Sequence, residues 1–239
     1  MLRQSRNGDA HPYPSRVGRS VASVRGQKKI DRELDAKLKP YLQGRPLVVV
    51  ISGLSGVGKD AVLDGIEERG HPFHRVVTVT TRAPRADEQN GVHYHFVSED
   101  EYREMVDAGE LLEHAEVYGR LYGVPEQEIR EPLSRGQDVF LRTDVQGAEA
   151  IKEKMPEVVL IFLVAASMEE LRKRLISRGR DSPQEIEKRL RDVPEEIARL
   201  PRFDYVVVNR DSRLDETVEQ VIDIISAEKR RTSRLRNRI

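Results

Sequence analysis

The chain of 239 residues contains no cysteine and no tryptophan, and only 5% of its residues are aromatic. Without cysteine the protein cannot form disulfides or thiolate metal sites, which suits a reducing compartment. No apolar run approaches the roughly 20 residues that a membrane-spanning helix needs. The longest such run is Val158–Ala166, and residues 1–6 lack the apolar stretch of a secretion signal. These absences predict a cytoplasmic protein that has no membrane contact.

The formal net charge is zero because opposite charges are separated along the chain. Residues 1–45 contain 11 Lys or Arg against 4 Asp or Glu, and residues 228–239 contain 6 against 1, so the middle of the chain is acidic. Basic ends can contact nucleic acid, but short charged tails are usually solvated. No aromatic residue interleaves with the basic residues of the C-terminal end, as a base-stacking surface would require. Nucleic-acid binding is therefore not expected, and the oligomeric state is left open.

Charge and apolar spacing divide the chain into three predicted parts. Residues 1–45 form a basic, flexible leader, within which apolar residues at helical spacing predict one short amphipathic helix. Those residues are Ile30, Leu34, Leu38 and Leu42. Residues 46–227 form the folded domain, and residues 228–239 form a basic tail.

From Leu47 onward, apolar segments of strand length alternate with helical segments. The predicted core strands are Leu47–Ile51, Val139–Thr143, Val158–Val164 and Tyr205–Val208. Such apolar strands, alternating with helices, predict an α/β fold in which helices cover both faces of a parallel sheet. Residues of about 78–124 are too polar, and too often broken by Gly and Pro, to belong to this sheet. They are predicted to form an inserted substrate-binding region.

A glycine-rich loop follows the first predicted strand. The sequence Gly53-Leu54-Ser55-Gly56-Val57-Gly58-Lys59 lies between an apolar strand and a helical segment that runs from Ala61 to Arg69. Glycines let several backbone N–H groups point at one polyphosphate, and a lysine at this position adds a positive charge. This arrangement predicts a P-loop that binds ATP. The predicted ATP-binding residues are Gly53, Ser55, Gly56, Val57, Gly58, Lys59, Asp60 and Asn209.

The residue after the P-loop lysine departs from the usual motif. A Ser or Thr hydroxyl is expected there to reach Mg²⁺, but the chain has Asp60. A carboxylate is a hard oxygen ligand and can hold Mg²⁺ itself, yet it also places a negative charge close to a triphosphate. Asp60 is therefore the predicted metal ligand, and a nearby cation is expected to neutralise it.

Several motifs beyond the P-loop resemble the guanylate kinase family. They occur in the family's order from about Pro46 to Ala227, which makes the resemblance more specific than the P-loop alone. They are Thr80-Thr81-Arg82-Ala83-Pro84-Arg85 with Glu88, Asn90-Gly91, Tyr94 and Phe96-Val97, then Glu113-His114-Ala115, Tyr122-Gly123, Asp144-Val145-Gln146-Gly147 and Arg178 to Ser182. The resemblance implies a P-loop NTPase-type parallel sheet flanked by helices. It also implies a GMP-binding insertion at about 78–124 and a helical lid at about 170–200.

The resemblance implies a set of acceptor-site residues. Positions that hold the GMP phosphate in the family match Arg82, Arg85, Tyr94 and Tyr122, and arginine's planar fork suits phosphate. The guanine-reading glutamate matches Glu113, whose two oxygens can accept from N1–H and from the 2-amino group. Asp144 and Thr78 match further positions near the nucleoside. Adenine lacks this donor pair, so the contact would select guanine.

The resemblance also implies the donor side and the reaction. Arg174, Arg178 and Arg189 match lid arginines that close over ATP, and with Lys59 they are the predicted catalytic residues. The implied enzyme is a nucleoside monophosphate kinase that transfers the γ-phosphoryl group of Mg-ATP to GMP, giving GDP and ADP. Positioning and charge neutralisation supply most of the catalysis in such transfers.

Three residues differ from the family's pattern: Asp60, Val124 and Arg142. Val124 replaces a hydroxyl residue that touches guanine, which removes one hydrogen bond worth about 0.5–1.5 kcal/mol. Arg142 replaces an acid at the end of a strand. Because an acid is lost at 142 while one is gained at 60, an ion pair between Arg142 and Asp60 is expected to restore the local charge balance.

Two other functions fit parts of the sequence. A sugar-phosphate kinase of the same fold would have no base edge for Glu113 to read, so Glu113 argues against it. A non-catalytic guanylate kinase-like module that binds protein partners is favoured by the altered residues Asp60 and Arg142. Lys59 and the lid arginines argue against such a module, because it has no use for residues that close over ATP.

Overall fold

The computed structural model of the protein describes residues 28–36, 38, 44–117, 119–179 and 182–235. The chain divides into two compact units, Met1–Gln43 and Gly44–Ile239. In the first unit, residues 28–36 form helix α1, whose Ile30 and Leu34 are about half exposed. Leu42, the last apolar residue of the predicted amphipathic helix, lies outside the described residues, as does the leader before residue 28.

The second unit contains a five-stranded parallel sheet in the order β2-β7-β1-β8-β9. Its strands are β1 (Val48–Gly53), β2 (Phe73–Arg75), β7 (Asp138–Arg142), β8 (Val159–Ala165) and β9 (Tyr205–Asn209). In β1, Val49 and Ile51 pack into one apolar cluster, whereas Val48 and Val50 pack into another on the opposite face. Because both faces of the strand are buried, apolar residues run through it without alternation. The predicted α/β fold with a parallel central sheet is confirmed.

Helices cover both faces of this sheet. They are α2 (Lys59–Glu68), α4 (Gln127–Ser134), α5 (Val145–Lys154), α6 (Met168–Ser177), α7 (Pro183–Ala198) and α8 (Leu214–Glu228), and the short helix α9 (Thr232–Leu235) follows α8. On one face, Leu63 of α2 and Val221 of α8 are buried against β1, while Ile151 of α5 and Ile129 of α4 are buried on the other. None of the helices in the described part of the chain is long and apolar enough to cross a membrane.

A smaller sheet, ordered β4-β3-β6-β5, lies within the predicted insertion. Its strands are β3 (Val79–Thr80), β4 (His95–Phe96), β5 (Leu111–Val117) and β6 (Arg120–Pro125), and helix α3 (Glu99–Asp107) joins β4 to β5. Val79, Tyr102 and Leu111 form a separate small core beneath it. The register of β5 against β6 is irregular between Leu111 and Glu113. The insertion is thus a subdomain with its own core, attached to the large sheet.

The segment that follows α8 is attached to the core through Glu228, the last residue of α8, which is only 1% exposed. Its carboxylate accepts hydrogen bonds from the Tyr205 hydroxyl, from Arg231 and from Arg234. Arg234 also donates to the Glu157 carbonyl at 2.6 Å. Hydrogen bonds to a buried charged group are among the stronger ones. Arg234, from the basic C-terminal segment, is therefore packed against the core.

Candidate active site

The P-loop lies between β1 and α2, and its glycines are required by its backbone. Gly53, Gly56 and Gly58 have φ angles of 126°, 83° and 100°, a region that side chains disfavour. A Cβ atom at Gly53 would lie 2.1 Å from the Leu163 carbonyl oxygen, and one at Gly58 would lie 2.8 Å from Asn209 Nδ2. The loop can therefore take this path only with glycine at these positions.

Lys59 folds back over the P-loop. Its Nζ donates to the carbonyl oxygens of Gly53 at 2.8 Å and Leu54 at 3.2 Å. Burial lowers the pKa of Lys59, and the negative charges of Glu196 and Asp60 oppose that shift. An ammonium group has three donors, so one remains for a phosphate oxygen.

Two residues from distant segments hold the loop from behind. Asn209, at the end of β9, donates from Nδ2 to the Val57 carbonyl at 2.8 Å, and the Thr217 hydroxyl donates to Asn209 Oδ1 at 3.1 Å. Arg174 of α6 donates to the Val57 carbonyl and to the Asn209 carbonyl, each at 2.9 Å. It also donates to Asp211 at 2.7 Å. Arg174 thus fixes the P-loop as well as lining the cleft.

The predicted lid places more charge over the loop. Arg178 follows α6, and Arg189 lies in α7, where its Nη1 donates to the Ser55 hydroxyl. Glu196, also from α7, lies near Lys59 and the Ser55 backbone N–H. Burial raises the pKa of Glu196, although both of these neighbours favour its ionised form. A carboxylate of the lid helix therefore lies where the loop would receive phosphate.

Asp60 forms the predicted ion pair with Arg142. Arg142 Nε donates to Asp60 Oδ1, and Arg75 Nη2 donates to the same oxygen at 3.1 Å. Burial alone would raise the pKa of Asp60, but the charges of Arg142 and Arg75 outweigh it and lower that pKa. Asp60 therefore remains ionised, and its charge is matched by two cations.

Arginine and tyrosine side chains cluster at the other end of the site, where the GMP phosphate is predicted to bind. Arg82 donates to both carboxylate oxygens of Glu88, each at 2.8 Å, and Glu88 also accepts from the Arg85 N–H at 2.9 Å. The Arg82 guanidinium lies 5.2 Å from the centre of the Tyr94 ring, which is 6.1 Å from the Tyr122 ring. Glu88 thus fixes the direction of the Arg82 side chain. The sequence motif contains Glu88 but did not predict this role for it.

Glu113 lies deeper at this end and is only 5% exposed. No hydrogen bond reaches its carboxylate from the part of the chain that the structure describes. Burial and the nearby charge of Asp144 raise the pKa of Glu113 to about 7, against the opposing charge of Lys154. Asp144 caps α5 by accepting from the Gly147 N–H at 2.9 Å. The unpaired carboxylate is suited to a ligand that brings its own donors.

One cleft of about 890 Å³ joins the two ends. It is lined by every predicted site residue except Asn209, which lies behind the P-loop. Thr78, Arg85 and Arg178 are among those lining residues, so the motifs scattered through the sequence meet in one place. Glu196 was not predicted from the sequence, because it lies in a charged helical segment without a local motif.

Comparisons with known proteins agree with this geometry. The family model described as guanylate kinase matches residues 43–228. Guanylate kinase 2, chloroplastic/mitochondrial, from Oryza sativa is 46% identical over 186 residues, covering 77% of this chain and 65% of the rice protein. Guanylate kinase from Clostridioides difficile is 40% identical over 191 residues, covering 80% of this chain and 92% of that protein.

A solved structure is also similar. The crystal structure of guanylate kinase from Anaplasma phagocytophilum superposes with a TM-score of 0.64 at 33% identity. The match covers 80% of this chain and 90% of that one. The sequence match, the fold and the arrangement of the cleft lead to one conclusion: the chain belongs to the guanylate kinase family.

Proposed function

We propose that this member of the family transfers the γ-phosphoryl group of Mg-ATP to GMP, giving ADP and GDP. The observation that carries the proposal is the single cleft with a P-loop at one end and the buried Glu113 at the other. Arginine, lysine and tyrosine side chains line the cleft between these two ends. They are suited to bind the phosphates of ATP and of GMP. The chain is thus an enzyme, a nucleoside monophosphate kinase.

The chemistry requires alignment more than covalent help. A phosphate oxygen of GMP attacks the γ-phosphorus, and the bond from that phosphorus to the ADP oxygen breaks. No general base is needed, because the attacking oxygen is already ionised. Lys59 would neutralise the donor phosphates, while Arg178 and Arg189 would close over the transferring group. Arg174 supports this role by holding the P-loop, and preformed charges of this kind supply much of the catalysis.

Glu113 would give guanine specificity. In its ionised form it accepts from N1–H and from the 2-amino group of guanine together. Val124 pairs with Glu113 across β5 and β6 and is buried, so it adds no hydrogen bond to the base. The base contact therefore depends on Glu113, with Thr78 and Asp144 lining the same end of the cleft.

Mg²⁺ is proposed to enter with ATP. The donor set fits, because Asp60 is a hard oxygen ligand that stays ionised at the P-loop end of the cleft. When bound, the ion would neutralise charge between the donor phosphates. Arg142 and Arg75 compete for the same carboxylate oxygen, so metal binding and ion pairing are alternative uses of Asp60.

The ion pair also bears on the non-catalytic alternative. Asp60 and Arg142 had favoured a binding module because both depart from the family's pattern. As partners they balance each other's charge and leave Lys59 seated on the loop. This arrangement supports an enzyme. The absence of cysteine supports our further proposal that the enzyme works in the cytoplasm.

A coupled assay of ADP release tests the proposal. The purified chain would receive Mg-ATP with GMP, AMP or a ribose phosphate in parallel. We expect GMP to be the preferred acceptor by at least tenfold. Equal turnover of AMP would refute the role of Glu113, turnover of ribose phosphate alone would favour the sugar-phosphate kinase, and no turnover of any acceptor would favour the binding module.

A further inference from the structure

Arg142 occupies a central position between the two ends of the cleft. It is the last residue of β7 and is paired with Ile51 of β1, directly before the P-loop. Its side chain is 18% exposed and lines the cleft. Since the family usually has an acid here, the role of this arginine does not follow from the family's pattern.

The Arg142 guanidinium contacts both nucleotide sites. Its Nε donates to Asp60 Oδ1, at the first turn of the P-loop helix α2. Its Nη1 donates to the Tyr94 hydroxyl at 2.9 Å, and the guanidinium carbon lies 4.8 Å from the centre of the Tyr94 ring. One side chain therefore bridges the P-loop and the acceptor subdomain.

The bridge determines how Tyr94 can bind a ligand. Arginine has only donors, so the Tyr94 oxygen must act as the acceptor in this hydrogen bond. The hydroxyl proton of Tyr94 is then left for another acceptor, such as a phosphate oxygen. Stacking against the guanidinium also limits how the ring can turn. Arg142 thereby prepares Tyr94 to donate into the cleft.

The other end of the bridge responds to the donor nucleotide. Asp60 directly follows Lys59, so phosphates on the P-loop change the charge that Asp60 and Arg142 experience. Donor phosphates are negatively charged, so they attract the Arg142 guanidinium in the cleft whether Asp60 pairs with it or holds Mg²⁺, and this attraction stabilises the prepared state of Tyr94 as well. By thermodynamic reciprocity, a phosphate held by Tyr94 must favour ATP binding to the same extent.

We propose that Arg142 is a positioning residue that couples the two nucleotide sites, so that ATP bound at the P-loop tightens binding of the GMP phosphate. The inference rests on the proposed function, because it takes ATP and GMP as the two ligands. Its distinguishing property is a coupling factor, the ratio of the Kd values for GMP measured without and with bound donor. Damage that merely loosens the fold would change each Kd without removing this ratio.

Isothermal titration calorimetry can measure the ratio. The full chain would be titrated with GMP in the presence and absence of Mg²⁺ and a non-hydrolysable ATP analogue. We expect a ratio of at least about fivefold in the wild type, the lower end of common coupling factors. In Arg142→Gln the ratio should fall below about twofold. Arg75→Gln is the matched control, because among the described residues Arg75 donates to Asp60 but neither donates to the Tyr94 hydroxyl nor stacks on its ring, and it should keep the wild-type ratio.

A second variant covers the case in which Arg142→Gln does not fold. Tyr94→Phe keeps the ring but removes the hydroxyl that accepts from Arg142, and it should also lower the ratio below about twofold. A wild-type ratio near one, or an unchanged ratio in Arg142→Gln or in Tyr94→Phe, would overturn the inference alone. If wild-type protein binds ATP analogue but not GMP, the proposed function fails and the inference fails with it.

Discussion

The carboxylate of Glu113 is buried near that of Asp144, and no hydrogen bond from the described residues compensates either the burial or the repulsion at Glu113. Together these effects raise the pKa of Glu113 to about 7. At this pKa the carboxyl group of Glu113 is partly protonated at neutral pH. Guanine would supply two donors to it, which favours the ionised form.

The kcat/KM for GMP should depend on pH near the pKa of Glu113, which is about 7. Below about pH 7, Glu113 takes up a proton and loses an acceptor oxygen, so kcat/KM for GMP should fall as the pH is lowered and level off above it. The GMP phosphate also titrates, with a pKa near 6. Glu113→Gln keeps the phosphate's titration and removes that of Glu113, so it provides the control. Identical pH profiles for the two proteins would contradict the assignment.

Glu113→Gln should also weaken the choice between GMP and AMP. The amide replaces one acceptor oxygen with a donor that faces a guanine donor, while the size of the side chain is kept. A mismatch of this kind costs about 1–3 kcal/mol, so the ratio of kcat/KM for GMP over AMP should fall by roughly 5- to 150-fold. Steady-state kinetics with both acceptors would measure it. An unchanged ratio would mean that another group reads the base.

Lys59→Ala should lower kcat by roughly 10²- to 10³-fold, because a charge held at the donor phosphates is lost where water cannot replace it. The measurement is ADP release at saturating GMP. Lys173→Ala is a suitable control, since Lys173 is 67% exposed on α6 and pairs with Glu169 away from the cleft. Activity of Lys59→Ala within tenfold of the wild type would place the donor phosphates elsewhere.

The two uses of Asp60 predict different kinetics for Asp60→Ser. If Asp60 mainly pairs with Arg142, this change leaves the partly buried Arg142 without its acidic partner and should impair the enzyme, and adding Arg142→Asp should restore activity. If Asp60 mainly holds Mg²⁺, the single change should be mild, because a hydroxyl can take the same coordination position. A double-mutant cycle on kcat/KM gives the coupling energy. We expect the first outcome, and additive effects would exclude it.

The sequence predicted those features that have a local cause. The glycines of the P-loop and the apolar strands are short patterns with their own physical requirements, and the ion pair followed from two compensating changes of charge. The hydrogen bonds that Arg174 and Asn209 donate to the Val57 carbonyl were not predictable in this way. Those contacts join residues more than a hundred positions apart, and their partners are backbone carbonyls, which no side-chain pattern marks. The bidentate pair of Glu88 with Arg82 lies within a motif, but the motif does not show which residue orients which.

Glu196 lines the cleft but was not predicted from the sequence. Its position near the P-loop can be used to test the donor site. Its Oε2 is buried and has no hydrogen-bond partner among the described residues, and burial raises the pKa of this carboxyl despite the nearby Lys59. In the ionised form it repels phosphates that approach the same loop. Removing that charge with Glu196→Gln should strengthen ATP binding by roughly fivefold, since a unit charge at close range is worth about 1 kcal/mol even at the dielectric constant of water.

The effect of Glu196 should also depend on pH. Because its pKa is raised, protonation at lower pH removes the repulsion, so the wild type should bind ATP more tightly as the pH falls, and Glu196→Gln should lose this dependence. Titration of both proteins with Mg²⁺ and a non-hydrolysable ATP analogue at several pH values measures it. Glu187→Gln, on the same helix but outside the cleft lining, should bind the analogue like the wild type. Equal affinities and equal pH slopes for Glu196→Gln and the wild type would show that the lid carries Glu196 away from the P-loop before ATP arrives.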